Sequence, residues 1–170
     1  MKRQLFGHLI LVFIVFLTVN CAVGVRGLFH TPKTPEEKAW LDAVLKEPLE
    51  FEIKAEDEKP AWSRAQSFLA LYSGVQTKIA TDSIIETEIP RGSASDVGYK
   101  VIKVQKPDGN FIIKVQWVAF EGDMLAAVAL GGGSDAYVNL HILAHYIRTG
   151  DLPYPWLIRT ASAPERPKSK

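Results

Sequence analysis

One cysteine, Cys21, is all that this chain of 170 residues contains, so no intramolecular disulfide can brace it. A surplus of either charge is missing too: 20 Lys and Arg stand against 19 Asp and Glu. The resulting net charge of +1 gives no electrostatic footprint for a nucleic-acid partner. With four His, two Met and no low-complexity tract, the composition fits neither a metal-storage nor a disordered protein. No Asn-x-Ser/Thr sequon occurs, in agreement with a bacterial source. What is present, 47% hydrophobic and 23% charged residues, suffices for one core and is too little for two.

Long apolar runs are few, and the clearest one lies at the amino terminus. Lys2 and Arg3 precede an uninterrupted apolar stretch from Leu9 to Leu17, the n-region and h-region of an export signal. Weaker apolar character continues to Val25, where Arg26 ends it, just short of the roughly 20 residues that a spanning helix takes. Residues 1–25 are therefore read as a signal peptide or membrane anchor, and 26–33 as a linker. Lys2 and Arg3 face Arg26 and Lys33 across the run, so the positive-inside bias is small, and the early position of the run favours export of the carboxy-terminal domain.

Cys21, at the end of the h-region, resembles the lipidated cysteine of bacterial lipoprotein precursors, in which the acylated Cys becomes the new amino terminus. That class favours Leu three residues before the Cys and a small residue directly before it. Thr18 and Asn20 stand there instead, with Leu17 one place early. The small residues of Ala22-Val23-Gly24 suit an ordinary signal peptidase. The resemblance implies lipidation at Cys21 and a domain held outside the cytoplasm, with a single-pass anchor as the alternative.

Beyond the linker the pattern is that of an α+β domain over 34–158. Thr34-Pro35-Glu36-Glu37 is a capping box with Pro at the first helical position, opening a helix over 35–46 with Trp40, Leu41, Val44 and Leu45 as its buried stripe. Leu49, Phe51 and Ile53 alternate with Glu50, Glu52 and Lys54, the period of a half-buried strand. A second helix over 60–72 buries Trp62, Ala65, Phe68, Leu69 and Tyr72. Residues 78–89, 99–105, 111–120 and 124–130 read as β-structure, with a hairpin tip at Pro107-Asp108-Gly109-Asn110. Pairing Pro107 with Asn110 gathers Ile102, Val104, Ile113, Val115, Trp117 and Ala119 on one face. Tyr99, Lys103, Gln105, Lys114 and Gln116 fall on the other. A third helix over 135–148, capped by Ser134 and closed by Gly150, presents Ala136, Leu140, Leu143 and Ile147 to the core. The proline-broken 152–158 segment runs extended across the domain, anchored by Tyr154 or Trp156. Residues 159–170 form a disordered basic tail.

Several residue sets carry chemistry in other contexts, and each has a plainer reading here. Glu56-Asp57-Glu58 lacks the alternate carboxylates and central Gly of a calcium loop and reads as a solvated acidic loop. Ser63 and Ser67 have no nucleophile-elbow context. Lys100, Lys103, Lys106 and Lys114 beside Tyr99 could form a basic stacking surface, but no Arg cluster accompanies them, and a solvated sheet face is the simpler account. Gly131-Gly132-Gly133 before Ser134 and Asp135 lacks the Gly-Lys-Ser/Thr ending of a phosphate loop, and Asp135 repels an anion there. His141 and His145, four apart on one helix face, have the spacing of two zinc ligands. Ile142 stands where a metalloprotease has its catalytic Glu, and a third ligand would have to come from His30, Asp82 or Glu121.

The sequence therefore points to a membrane-tethered protein of the bacterial cell envelope whose domain, a small antiparallel sheet with three helices packed on it, is a non-catalytic binding or structural module. No cofactor is implied, and the partner is an unspecified protein or small molecule. A metal-dependent hydrolase using His141 and His145 is the alternative.

Overall fold

The computed structural model describes residues 32, 34–88, 98–118, 132–160 and 163–167, with the side chains of 132–134 left out. The chain divides into a unit of residues 1–31, which includes Cys21 and lies outside the described residues, and a unit of residues 32–170. The second unit holds α1 (Pro35–Val44), β1 (Glu50–Ile53), a 3-10 turn (Ala55–Asp57), α2 (Glu58–Tyr72), β2 (Thr77–Ala80), β3 (Ile84–Thr87), β4 (Gly98–Gln105), β5 (Phe111–Val118) and α3 (Gly132–Thr149). A second 3-10 turn, Pro155–Leu157, comes after α3. The strands form one antiparallel sheet in the order β1-β5-β4-β3-β2, and α2 and α3 pack together, so the domain is α+β. Among the described residues no helix is long and apolar enough to cross a membrane.

Local chemistry accounts for most boundaries. Thr34 accepts from the Glu37 main-chain N–H at 3.2 Å while the Glu37 carboxylate accepts from the Thr34 N–H, completing the capping box. The acidic stretch is solvated as expected, with Glu56 and Asp57 exposed, but takes the form of a 3-10 turn leading into α2, where Glu58 pairs with Lys103. Residues 77–87 do not form one strand; they fold back at Thr81, whose side chain accepts from the N–H groups of Ser83 and Ile84. The third helix begins at Gly132, ahead of the expected Ser134 cap, and stops at Gly150, whose φ of 78° suits glycine and whose N–H donates to Tyr146. Arg64 of α2 donates to the Ile147 carbonyl at 2.9 and 2.6 Å and satisfies that helix end. The strand expected over 124–130 lies outside the described residues.

The β4–β5 hairpin corrects the expected register by one residue. Gln105 pairs with Phe111 and Lys103 with Ile113, so three residues, Pro107, Asp108 and Gly109, make the loop instead of two. Gly109 has φ of 90° and donates to the Lys106 carbonyl, and the Asp108 carboxylate accepts from Asn110 N–H. This is the three-residue turn with a left-handed glycine. The extra residue turns β4 over. Tyr99 and Val101 are buried with Ile113 and Val115 on the helix-facing side, while Ile102 is only half-buried and Val104 is 54% exposed on the opposite face.

α3 is the centre of the core. Ala136, Leu140, Leu143 and Ile147 are buried as expected, but Val138, Asn139, His141, Ile142 and Ala144 are buried as well, so solvent reaches little of the described helix beyond Tyr137 and its ends. Burial of Ile142, Leu143 and Ile147 contributes about 1.5–3 kcal/mol each. The carboxy-terminal segment closes over it, with Leu157 and Ile158 fully buried and Trp156 donating to the Glu37 carboxylate at 3.0 Å. The described part of the tail is docked too, contrary to the disorder expected from 159. Arg159 pairs with Asp135 at 2.9 Å, Ala163 packs on the core, and Arg166 reaches the buried Glu37 at 2.7 Å.

Asn139 joins these layers. Its amide donates to the Tyr99 hydroxyl at 3.0 Å and the Arg159 carbonyl at 3.2 Å, and its oxygen accepts from the Arg159 N–H at 2.7 Å. Replacement by Ala strands main-chain groups in the interior, and Asn139→Ala is expected to lower unfolding free energy by about 2–4 kcal/mol in urea titration. Leu71→Ser, on the exposed face of α2, serves as the control and is expected to change it by less than about 0.5 kcal/mol.

Candidate functional site

The histidine pair is built into the seam between α3 and the end of α1. His145 Nδ1 lies 2.9 Å from Glu47 Oε2, and Arg148 donates to Glu47 Oε1 at 2.6 Å, so one carboxylate ties two α3 side chains to the α1–β1 connection. Trp40 meets the His145 ring edge-on at a centroid distance of 5.6 Å, and Tyr137 stacks obliquely on His141 at 4.5 Å. His145 Nε2, His141 Nδ1 and Trp40 Nε1 are buried with no hydrogen-bond partner among the described residues. Among the described residues no group of three or more His, Cys, Asp and Glu gathers around a common point. Asp82 lies in the β2–β3 turn, and His30 and Glu121 fall outside the described residues. Ser63 and Ser67 are both exposed on the outer face of α2.

The four sheet lysines each meet an acid. Lys100 pairs with Glu86 at 2.9 Å, Lys106 with Glu52 at 2.8 Å and Asp108 at 2.9 Å, and Lys114 with Glu50 at 3.4 Å. Lys103, expected on the polar face, lies on the helix side, paired with Glu58 and 4.6 Å above the Trp62 ring. Tyr99 is buried and bonded to Asn139, so it offers no platform for stacking. Asp135, at the start of α3, is engaged by Arg159.

A cavity of about 450 Å³ opens where β5 outruns β1. The β1 pairing ends at Glu50 opposite Lys114, with one further bond from Val115 N–H to the Leu49 carbonyl, whereas β4 accompanies β5 as far as Val118. Leu49, Val115 and Leu140 give the cavity an apolar floor, and Trp117 and Tyr137 stand as aromatic walls. Gln116 and the half-exposed Lys114–Glu50 pair border it. Tyr137 is 51% exposed although it belongs to the core helix. The volume falls within the range of small-ligand sites, and the mixture of apolar lining with a few polar groups is typical of them.

Sequence reasoning named Val115, Trp117 and Leu140 as core; it allowed a small ligand between the sheet and the last helix but assigned no residue to it. The available signal was the mismatch in length between the strand at 49–53 and the longer one from 111, which leaves part of a sheet edge open. Tyr137 was missed because it lies off the main apolar stripe of α3.

Burial also sets the protonation of His141. Desolvation holds its pKa below the ordinary histidine value of 6.5, opposed by the main chain at Glu47 and Val44 and by the Glu47 carboxylate. A base whose folded pKa is depressed resists a proton that the unfolded chain accepts. Its stabilising contribution is therefore present above pH 6.5 and lost as pH falls toward the folded value. The advantage of the native chain over His141→Phe in urea midpoint is expected to shrink between pH 7.5 and pH 5.5, on either side of that value. An advantage that stays constant or grows would contradict it. Comparison of the chain with protein-family models, curated proteins and solved structures finds no match in any of the three.

Proposed function

We propose that the chain is a membrane-tethered protein of the bacterial cell envelope whose domain binds a partner in the cleft between β5 and α3 and performs no catalysis. The cavity at the end of β1 carries the binding half of this reading: it is partly apolar, walled by two aromatic side chains, and bordered by an ion pair that can orient a ligand. The tether rests on the apolar run after Lys2 and Arg3 and on Cys21 at its end. Acylation there would contribute about 0.8 kcal/mol per buried CH₂, enough with two chains for stable anchoring. The hydrolase alternative draws on the unpartnered ring nitrogens of His141 and His145, although Glu47 already engages His145 Nδ1. Zinc that survives dialysis of the folded chain and disappears on changing either His to Ala would favour it.

The full chain in detergent is expected to take up an apolar fluorescent dye with one-site stoichiometry, and Tyr137→Ala is expected to weaken that uptake several-fold. Extracted from membranes, it is expected to show an intact mass beginning at a lipidated Cys21, and Cys21→Ser is expected to leave the precursor uncleaved. Dye uptake indifferent to Tyr137 would remove the cleft. A mass beginning at Val25, or at Met1 without lipid, would remove lipidation.

A further inference from the structure

The cavity has a main-chain wall as well as side chains. In the β1–β5 ladder Val115 N–H points toward β1, where it meets the Leu49 carbonyl. Antiparallel geometry gives alternate residues the same direction, so Ile113 also faces β1, and so does Trp117. Opposite Trp117 there is no β1 residue left, because the chain has turned away into the α1–β1 connection, and no hydrogen bond from the described residues reaches the Trp117 main chain on that side. Its N–H and C=O therefore point off the sheet edge directly beside a cavity that its own side chain helps to wall.

We propose that this overhang of β5 captures an extended peptide segment of a partner protein by strand addition, with Trp117 exchanging both main-chain hydrogen bonds with one peptide residue. The inference deepens the reading of the cleft as a binding site and rests on it. Cross-strand neighbours share a face, so the peptide residue that bonds to Trp117 also sends its side chain to the helix-facing side, over Val115 and Leu140 and against Tyr137. An apolar side chain is required there, and the flanking residues turn toward solvent or toward the Lys114–Glu50 pair. The chemistry thus specifies an extended segment with one apolar residue set among polar ones. A small molecule would fill the cavity and leave the Trp117 main chain unused. A second copy of this chain is the competing source of an added strand, and sedimentation distinguishes the two.

The test uses the full chain in detergent and capped, dye-labelled peptides of about seven residues, threonine and valine in alternation with Leu, Phe or Val at the centre. Binding is read by fluorescence anisotropy, with each peptide nitrogen N-methylated in turn. N-methylation at the central residue is expected to weaken binding about tenfold or more, with a smaller effect at its two neighbours, and Tyr137→Ala is expected to weaken it several-fold. Equal tolerance of N-methylation at all positions would overturn strand addition while leaving the cleft as a side-chain site. So would failure of every peptide in a sample that still takes up the apolar dye. Failure of peptides and dye together would overturn the cleft reading as well. Dimers in sedimentation that dissociate as peptide binds would assign the edge to a second copy and overturn the proposal.

Discussion

Enclosure of α3 is the constraint on which the rest of the structure depends. A helix with Ile142, Leu143, Ala144 and Ile147 all sealed from water needs apolar surface around most of its circumference. The sheet supplies one side, α1 and α2 others, and the segment through Leu157 and Ile158 closes over the remainder. Several of the polar groups in this interior hold neighbouring layers together. Asn139 links α3 to Tyr99 of β4 and to the main chain at Arg159, Arg64 closes the carboxyl end of α3, and Glu47 bridges His145 and Arg148. Each connects α3 to a different part of the chain, which makes the domain depend on residues far apart in sequence.

Much of the architecture was legible because local chemistry and tertiary packing agree. The Thr34–Glu37 box, the alternation at Phe51 and Ile53 and the stripe Ala136, Leu140, Leu143, Ile147 all stand as the sequence implied. The β4–β5 register was not legible, and the reason lies in one glycine. Pro107-Asp108-Gly109 makes a three-residue turn, and either choice of loop length sorts some apolar residues together: Ile102 and Val104 in one register, Tyr99 and Val101 in the other. A hydrophobic pattern on both faces of a strand leaves the turn to decide. The tail was misread for a related reason, since Arg159 and Arg166 look like solvated charge until Asp135 and the buried Glu37 are placed opposite them.

The candidate site was legible only in part. Helical spacing placed His141 and His145 together, but not the Glu47 carboxylate that engages His145, because contacts across α1 and α3 leave no periodic trace. The cleft arises from an unequal strand pair and from Tyr137 standing out of an otherwise buried helix, features visible only once the sheet order places β1 beside β5. The proposed binding then depends on main-chain groups, on which side-chain motifs are silent. This is also why an edge-based site leaves so little imprint on sequence: any residue but proline at position 117 presents the same N–H and C=O.

Strand addition requires the position beyond Leu49 to be vacant in the free protein, and amide hydrogen exchange measured residue by residue tests that vacancy most directly. Val115 N–H, bonded to the Leu49 carbonyl, is expected to be protected, as is Lys103 N–H, bonded to Ser83. Trp117 N–H, in the same strand and two residues beyond Val115, is expected to exchange far faster than either. Protection at Trp117 equal to that at Val115 would mean that the edge is already occupied, and the cleft would then not be an open binding site.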